Sequence, residues 1–289
     1  SIAHSPTGEL WSRSLPRSPG MTALVALLGS LIVGSADFLF GVAARRSGPL
    51  SVPFVGQLCG LGLLGVSLLL FEASDVRFED LAWGGVAGIA TAIAYVLFLG
   101  AMSSGKMSVV TPVAAATGAA VPALYGLTFE EGPGVLAVIG IVTAIVAIVL
   151  VCAEGPTGGR TPPRAVWLAV GSGGFFGLLF ISLAFTSMDA GMWPLVASRA
   201  LSLPLLVVVN LVVAGGIRFD RSDLAGTAIA GVFEMLASML VLWALRRGPV
   251  AIAGVFGSLY PASTVVLAWM VLGERLRSVQ KAGGCLALA

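Results

Sequence analysis

The feature that most constrains this chain is a succession of long apolar runs, each bounded by a short polar or Gly/Pro-bearing break. They fall at roughly 22–44, 50–71, 80–101, 107–128, 133–153, 165–187, 193–214, 223–245, 250–271 and 279–289. A bilayer core about 30 Å thick is crossed by about 20 helical residues. Nine of the ten runs have that length, and none shows the strict alternation of a barrel strand. In lipid every backbone polar group must be satisfied within the segment, so the runs are read as helices. Charge agrees: 10% of the 289 residues are charged and mean hydropathy is +1.01. Such a chain cannot cover a water-facing surface. A net charge of +2 leaves no basic footprint for a nucleic acid.

Soluble enzyme chemistry has little to work with. The single histidine, His4, sits in a polar leader, and Cys59, Cys152 and Cys285 are far apart in apolar sequence, so no metal site is expected. There is no phosphate-binding G-x-x-x-x-G-K-[ST] loop and no G-x-S-x-G elbow. No cofactor is expected. Residues 1–20 are read as a leader, either disordered or non-native, with Met21 as the start. The run 279–289 is too short to span, so the last helix is expected to be truncated.

Residues 154–164 hold three Pro and three Gly and form the linker between 21–153 and 165–289. The two parts repeat at an offset of 143: Gly34 meets Gly177, Gly48 meets Gly191, Asp80-Leu81 meets Asp223-Leu224, and Glu131 meets Glu274. Each part holds five runs. An odd count forces the second part to cross in the opposite sense. The expected fold class is therefore all-α integral membrane, with ten transmembrane helices as two inverted five-helix repeats.

The stretch Pro261 to Leu286, with Leu272, Gly273, Glu274, Arg275, Gln280 and Gly283, resembles the closing signature of the EamA-type branch of the drug/metabolite transporter superfamily. Gly34 to Phe38 and Ser198-Arg199-Ala200 are similar to further patterns of that family. In the first repeat Glu130-Glu131 stands where Gly-Glu is expected, and Gln57 or a neighbour where the Arg recurs. The resemblance covers about residues 22–289. It implies a secondary transporter with alternating access and a central site, export from the cell, and a multi-pass protein of the plasma (bacterial inner) membrane. It also implies a cytoplasmic N-terminus, whereas the loop count of Lys and Arg favours the reverse orientation.

Ionisable groups inside a membrane cost at least about 2.5–3.5 kcal/mol, so they need a partner or a job. Asp37, Arg199 and Glu234 fall inside runs. Two readings stand open: a wet cavity that binds substrate or carries a proton, or a structural ion pair. Two acids against one base leave one carboxylate without a cation. Glu234 and Ser238 share a helix face, as do their repeat mates Thr91 and Tyr95. Gln57, Ser258 and Tyr260 complete the candidates for binding or coupling. Pro112, Pro122, Gly257 and Pro261 are candidates for kinks or gates. The expected partners are a small polar or amphipathic metabolite and the lipid bilayer, with a homodimer left open. The rival readings are a membrane enzyme on a lipid-like substrate, whose acidic cluster would be Asp75, Glu79 and Asp80, and a non-transporting sensor or partner subunit.

Overall fold

The computed structural model describes residues 19–44, 46–48, 50–104, 107–129, 138–139, 142–143, 145–146, 150, 162–213 and 215–272. Among them nine α-helices form: α1 (Pro19–Ala43), α2 (Ser51–Leu70), α3 (Phe78–Ser104), α4 (Met107–Phe129), α5 (Pro163–Ala184), α6 (Trp193–Val213), α7 (Leu224–Arg247), α8 (Val250–Gly257) and α9 (Tyr260–Leu272). No strand occurs among the described residues. Of the run 133–153 only scattered residues are described, all helical. The leader, the linker short of Pro162, Glu130-Glu131, Glu274 and the run 279–289 lie outside the described residues.

Six spans are long and apolar enough to cross a bilayer: Gly20–Ala43, Ser51–Leu70, Phe78–Phe98, Pro163–Ala184, Trp193–Val213 and Arg221–Arg247. Helix starts follow local chemistry. Asp80 is in the first turn of α3, where a negative charge suits the helix dipole. Pro163 opens α5 at a position that needs no amide hydrogen. A 3-10 turn over Arg221–Asp223 leads into α7, and the Asp220 carboxylate caps it by accepting from the Ser222 amide at 2.9 Å. Across the run 250–271 the described residues form two helices, with the break beside the kink candidates Gly257 and Pro261. The chain breaks at Ser258 and Leu259, between α8 and α9. Ser258 gives its amide to the Gly254 and Val255 carbonyls and its hydroxyl to Gly254, so the end of α8 is satisfied locally.

The packing is inside-out relative to a soluble bundle. The core is rich in small residues, including Ala26, Ala36, Ala87, Ala90, Ala94, Ala230, Ala237 and Ala244. Large apolar side chains such as Leu24, Leu69, Trp167, Val208, Val212 and Met270 face outward. In lipid no hydrophobic gain draws helices together, so close van der Waals contact through small residues does it. Gly60 of α2 is an example: a methyl there would stand 2.7 Å from the Gly231 carbonyl oxygen of α7.

Contacts define neighbours and directions. α1 packs on α7 with Gly29 against Ala237 and Val241 and Thr22 against Gly248, so the two are antiparallel. α3 packs on α5 with Gly100 near Leu168 and Ala94 accepting from Ser172, again antiparallel. α3 runs parallel to α6, with Gly84 at Pro194 and Gly88 at Ser198. α2 runs parallel to α7, with Gly56 and Gly60 at Gly231. α4 lies on α5, and α8 and α9 lie on α1.

Candidate functional site

The buried polar chemistry centres on α6 and α7. Arg199 comes one and a half turns into α6 and Glu234 lies mid-way along α7. The Arg199 Nη2 donates to Glu234 Oε1 at 2.8 Å. Side-chain exposure is 6% and 15%, so both charges have left bulk solvent. Burial on this scale is tolerated because each charge neutralises the other. Ser238, one turn beyond Glu234, accepts a longer bond from Arg199 Nη2 at 3.4 Å and donates to the Glu234 carbonyl at 2.9 Å. Of the two open readings, the ion pair is what the described residues form, inside the bundle.

Around it lie four more sequence candidates. Asp37 of α1, Tyr95 of α3 and Tyr260 at the start of α9 are close enough to interact electrostatically with this pair or with one another. Tyr95 is held edge-on by Phe176 of α5 at 5.7 Å between ring centres. Asp37 forms no ion pair among the described residues, so it is the carboxylate that Arg199 leaves without a cation. Gln57 of α2 is 1% exposed, and its Oε1 accepts from Ser202 of α6 at 3.2 Å. Ser202 is one turn beyond Arg199, so α2 reaches the same level.

Three buried polar atoms here lack a hydrogen-bond partner among the described residues: Arg199 Nε, Glu234 Oε2 and Gln57 Nε2. Buried polar groups are paired in the great majority of cases, so each orphan needs an explanation.

Other candidates are occupied elsewhere. Thr91 bonds back to the Ala87 carbonyl at 2.8 Å, and Ser258 to Gly254. Pro122 of α4 is buried with its ring against Gly254 of α8. Gly257 lies beside the Phe180 ring of α5. Pro112 lies on α4 and Pro261 on α9; their side chains are outside the described residues.

The structure adds two polar clamps that sequence reasoning did not single out. At the start of α3, the buried Asp80 accepts from the Ser187 amide at 2.6 Å and hydroxyl at 3.2 Å, gripping the loop between α5 and α6. Arg246, at the end of α7, joins this end by donating to Thr186 Oγ1 at 2.9 Å and the Gly191 carbonyl at 2.6 Å. At the start of α7, Asp223 accepts from Ser47 in the α1–α2 loop at 2.9 Å. Ser51 and the buried Asn210 continue that clamp, with Ser51 donating to Asn210 at 2.9 Å. The two clamps lie at opposite ends of the bundle, since α3 and α7 start at opposite ends. The signal was available: Asp80 and Asp223 match at the offset of 143, each two or three residues after a break. The acidic group containing Asp80 holds a loop here, and among the described residues no metal-holding cluster forms.

Residues 163–289 match the model of the EamA-like transporter family. None of the curated proteins matches the chain. A solved crystal structure superposes with a TM-score of 0.75 at 14% identity, covering 94% of this chain and 95% of that one, which is a likeness of fold. Together with six helices of membrane-spanning length, the family match makes this a multi-pass integral membrane protein.

Proposed function

We propose that this chain, EamA-like through residues 163–289, is a secondary transporter that moves a small polar or amphipathic metabolite by alternating access of two inverted repeats. The carrying observation is the buried Arg199–Glu234 pair with unsatisfied atoms turned to the interior, surrounded by Asp37, Tyr95 and Gln57. Intramembrane charge in a bundle interior marks a candidate functional site by default. The family match makes transport rather than enzymatic turnover the expected activity.

The repeat reading is supported by the helix bounds. Adding 143 to α2 (51–70) gives 194–213, against 193–213 for α6. Adding it to α3 (78–104) gives 221–247, which is the 3-10 turn plus α7. Adding it to α4 (107–129) gives 250–272, the extent of α8 and α9. Neighbours exchange in the same way: α1 on α7 corresponds to α5 on α3, and α2 on α7 to α6 on α3. The short loops make α5 run parallel to α7, and α7 is antiparallel to α1, so the repeat mates α1 and α5 point in opposite senses.

On this reading the clamps at Asp80 and Asp223 are the gates. Each ties a loop of one half to a helix start of the other, and access to one face requires its clamp to part. Export, proton coupling through Asp37 or Glu234, and the bacterial inner membrane belong to the same proposal. The test is counterflow into proteoliposomes holding the purified full chain, offered a mixed metabolite pool and read by mass spectrometry. Selective accumulation of one compound class is expected. No accumulation above empty liposomes from folded protein overturns the transporter reading.

A further inference from the structure

Arg246 carries a charge that the central site does not use. It stands in the last turn of α7, at the end of the bundle where Asp80 sits. Its guanidinium spans the α5–α6 loop. Nε donates to Thr186 Oγ1 at 2.9 Å and Nη1 to the Gly191 carbonyl at 2.6 Å. Nη2 is buried and has no hydrogen-bond partner among the described residues. Asp80 lies near enough to attract the guanidinium.

Between these two anchors the loop meets the first half. Ser187 gives its amide and hydroxyl to Asp80. The Asp189 carbonyl accepts from the amides of Ser74 and Asp75 at 3.0 and 3.3 Å, and its carboxylate from the Ser74 hydroxyl at 3.1 Å. The loop's own bonds are few: the Ala190 amide to Ser187 Oγ at 3.2 Å and the Gly191 amide to the Met188 carbonyl at 3.1 Å. So short a turn would lose its shape once Asp80 withdraws, unless something in its own half holds it. Thr186, Gly191 and Arg246 all belong to the second half, so these anchors need not part when the halves separate. The other end is built differently. Ser47 and Ser51, at the α1–α2 loop, find side-chain partners across the divide in Asp223 and Asn210.

We propose that Arg246 is a positioning residue of the Asp80 gate. It keeps the α5–α6 loop in its docking shape while the halves are apart, so that Asp80 and the α2–α3 loop close onto a preformed socket. Ordering the loop anew at each closure would slow the cycle. A planar guanidinium suits the task because its fork reaches two acceptors in fixed geometry, which an ammonium does not. This rests on the transporter reading above and adds how one of its gates recloses.

The test is hydrogen exchange of the purified full chain in micelles, read by mass spectrometry over residues 186–191 and 47–52. Counterflow of the mixed metabolite pool and the melting point are measured beside it. Asp80→Asn loosens the gate but should leave the Ala190 and Gly191 amides protected within about threefold, because Arg246 still holds the loop. Arg246→Met should speed their exchange at least about tenfold, leave residues 47–52 unchanged and slow counterflow about tenfold. Arg246→Lys keeps the charge that attracts Asp80 but not the fork, so it should recover only part of both losses. Should Arg246→Met fail to fold, Thr186→Val removes one anchor, and the same loop-selective rise is expected. A purely structural Arg246 would lower the melting point and speed exchange at both ends alike, which overturns the assignment. Unchanged loop exchange in Arg246→Met, full recovery in Arg246→Lys, or an equal rise in Asp80→Asn overturns it while the transporter stands. No counterflow from the wild-type chain overturns the transporter reading and the gate with it, whatever the loop does.

Discussion

Breaking the central ion pair from either side should cost unequal amounts, and breaking both should cost less than the sum. The charges of Arg199 and Glu234 meet at 2.8 Å with exposures of 6% and 15%. At an effective dielectric near 20 and charge centres about 4 Å apart, the attraction is about 4 kcal/mol. Arg199→Met leaves Glu234 buried with Asp37 in the same interior and no cation supplied by the pair. Losing one partner of a buried pair costs about 3–5 kcal/mol, and this variant belongs at the upper end. Glu234→Gln keeps an oxygen for the Arg199 N–H to meet and removes the carboxylate that lies near Asp37, so about 2 kcal/mol is expected. The double variant removes both charges and should lie below Arg199→Met alone, giving a coupling of about 2–3 kcal/mol.

The assay is a double-mutant cycle by equilibrium unfolding in mixed micelles, with helical circular dichroism and intrinsic fluorescence as paired probes. Distant, independent sites add within about 0.3–0.5 kcal/mol. Additivity within that margin would refute the claim that the two residues act as one buried unit. A Glu234→Gln cost equal to that of Arg199→Met would refute the part given to like charge between Asp37 and Glu234.

Three further outcomes are expected. Glu234→Gln should abolish transport driven by a pH gradient while the protein stays folded; full coupled uptake would remove Glu234 from any coupling role. Gly84→Ala should destabilise by about 1–3 kcal/mol, because its methyl would meet the Pro194 backbone, with Cα at 2.7 Å, and force α3 from α6. Gly62→Ala, which meets nothing within 4 Å, should be neutral or stabilising by up to about 1 kcal/mol, and unfolding midpoints with the same sign for both would contradict the packing account. Asp80→Asn should weaken the grip on Ser187 and speed labelling of a cysteine placed at Asp189 by an impermeant maleimide; an unchanged rate would mean that this contact does not gate access.

The all-helical, membrane-spanning character was legible because bilayer thickness and helix rise translate run length directly into spans. The interior charges were legible for a related reason: in so apolar a chain an Arg or Glu inside a run is conspicuous. What periodicity could not supply was partner choice. Arg199 is paired with Glu234 through the parallel and antiparallel neighbours of α6 and α7, a tertiary fact. Gln57 was suspected only as the place of a missing Arg; its burial and half-satisfied amide depend on how Gly56 and Gly60 let α2 approach α7. Thr91 was chosen as the repeat mate of Glu234, yet a hydroxyl on a helix readily bonds its own backbone four residues back, and it does so. Asp80 and Asp223 looked like repeat markers because their partners, Ser187 and Ser47, are ordinary loop serines whose importance is set by which helix start they face.

The clamps also bear on why two conformations could be nearly balanced. Each is a handful of hydrogen bonds, worth about 0.5–1.5 kcal/mol apiece and more where a charge takes part. Opening one end then costs a few kcal/mol, comparable with what a ligand of millimolar to micromolar affinity contributes if it favours one state. The two ends are not equal. Arg246 donates to Thr186 and Gly191 at the Asp80 end, whereas the residue at the repeat offset is Ser103, which has no cation to offer. The Asp80 end also stacks Trp83 on Phe185 at 4.7 Å and sets Tyr125 edge-on to the same ring at 5.9 Å. Between the halves the Asp80 end has the ring contacts, while hydrogen bonds are as numerous at the Asp223 end, where Ser47, Gly48, Leu50 and Ser51 meet Asn210, Arg218, Asp220 and Asp223. Thr186, Gly191 and Arg246 all belong to the second half, so the Arg246 contacts move with it and need not part when the halves separate. The stacking of Trp83 and Tyr125 on Phe185 across the halves should make the Asp80 gate the slower of the two to open.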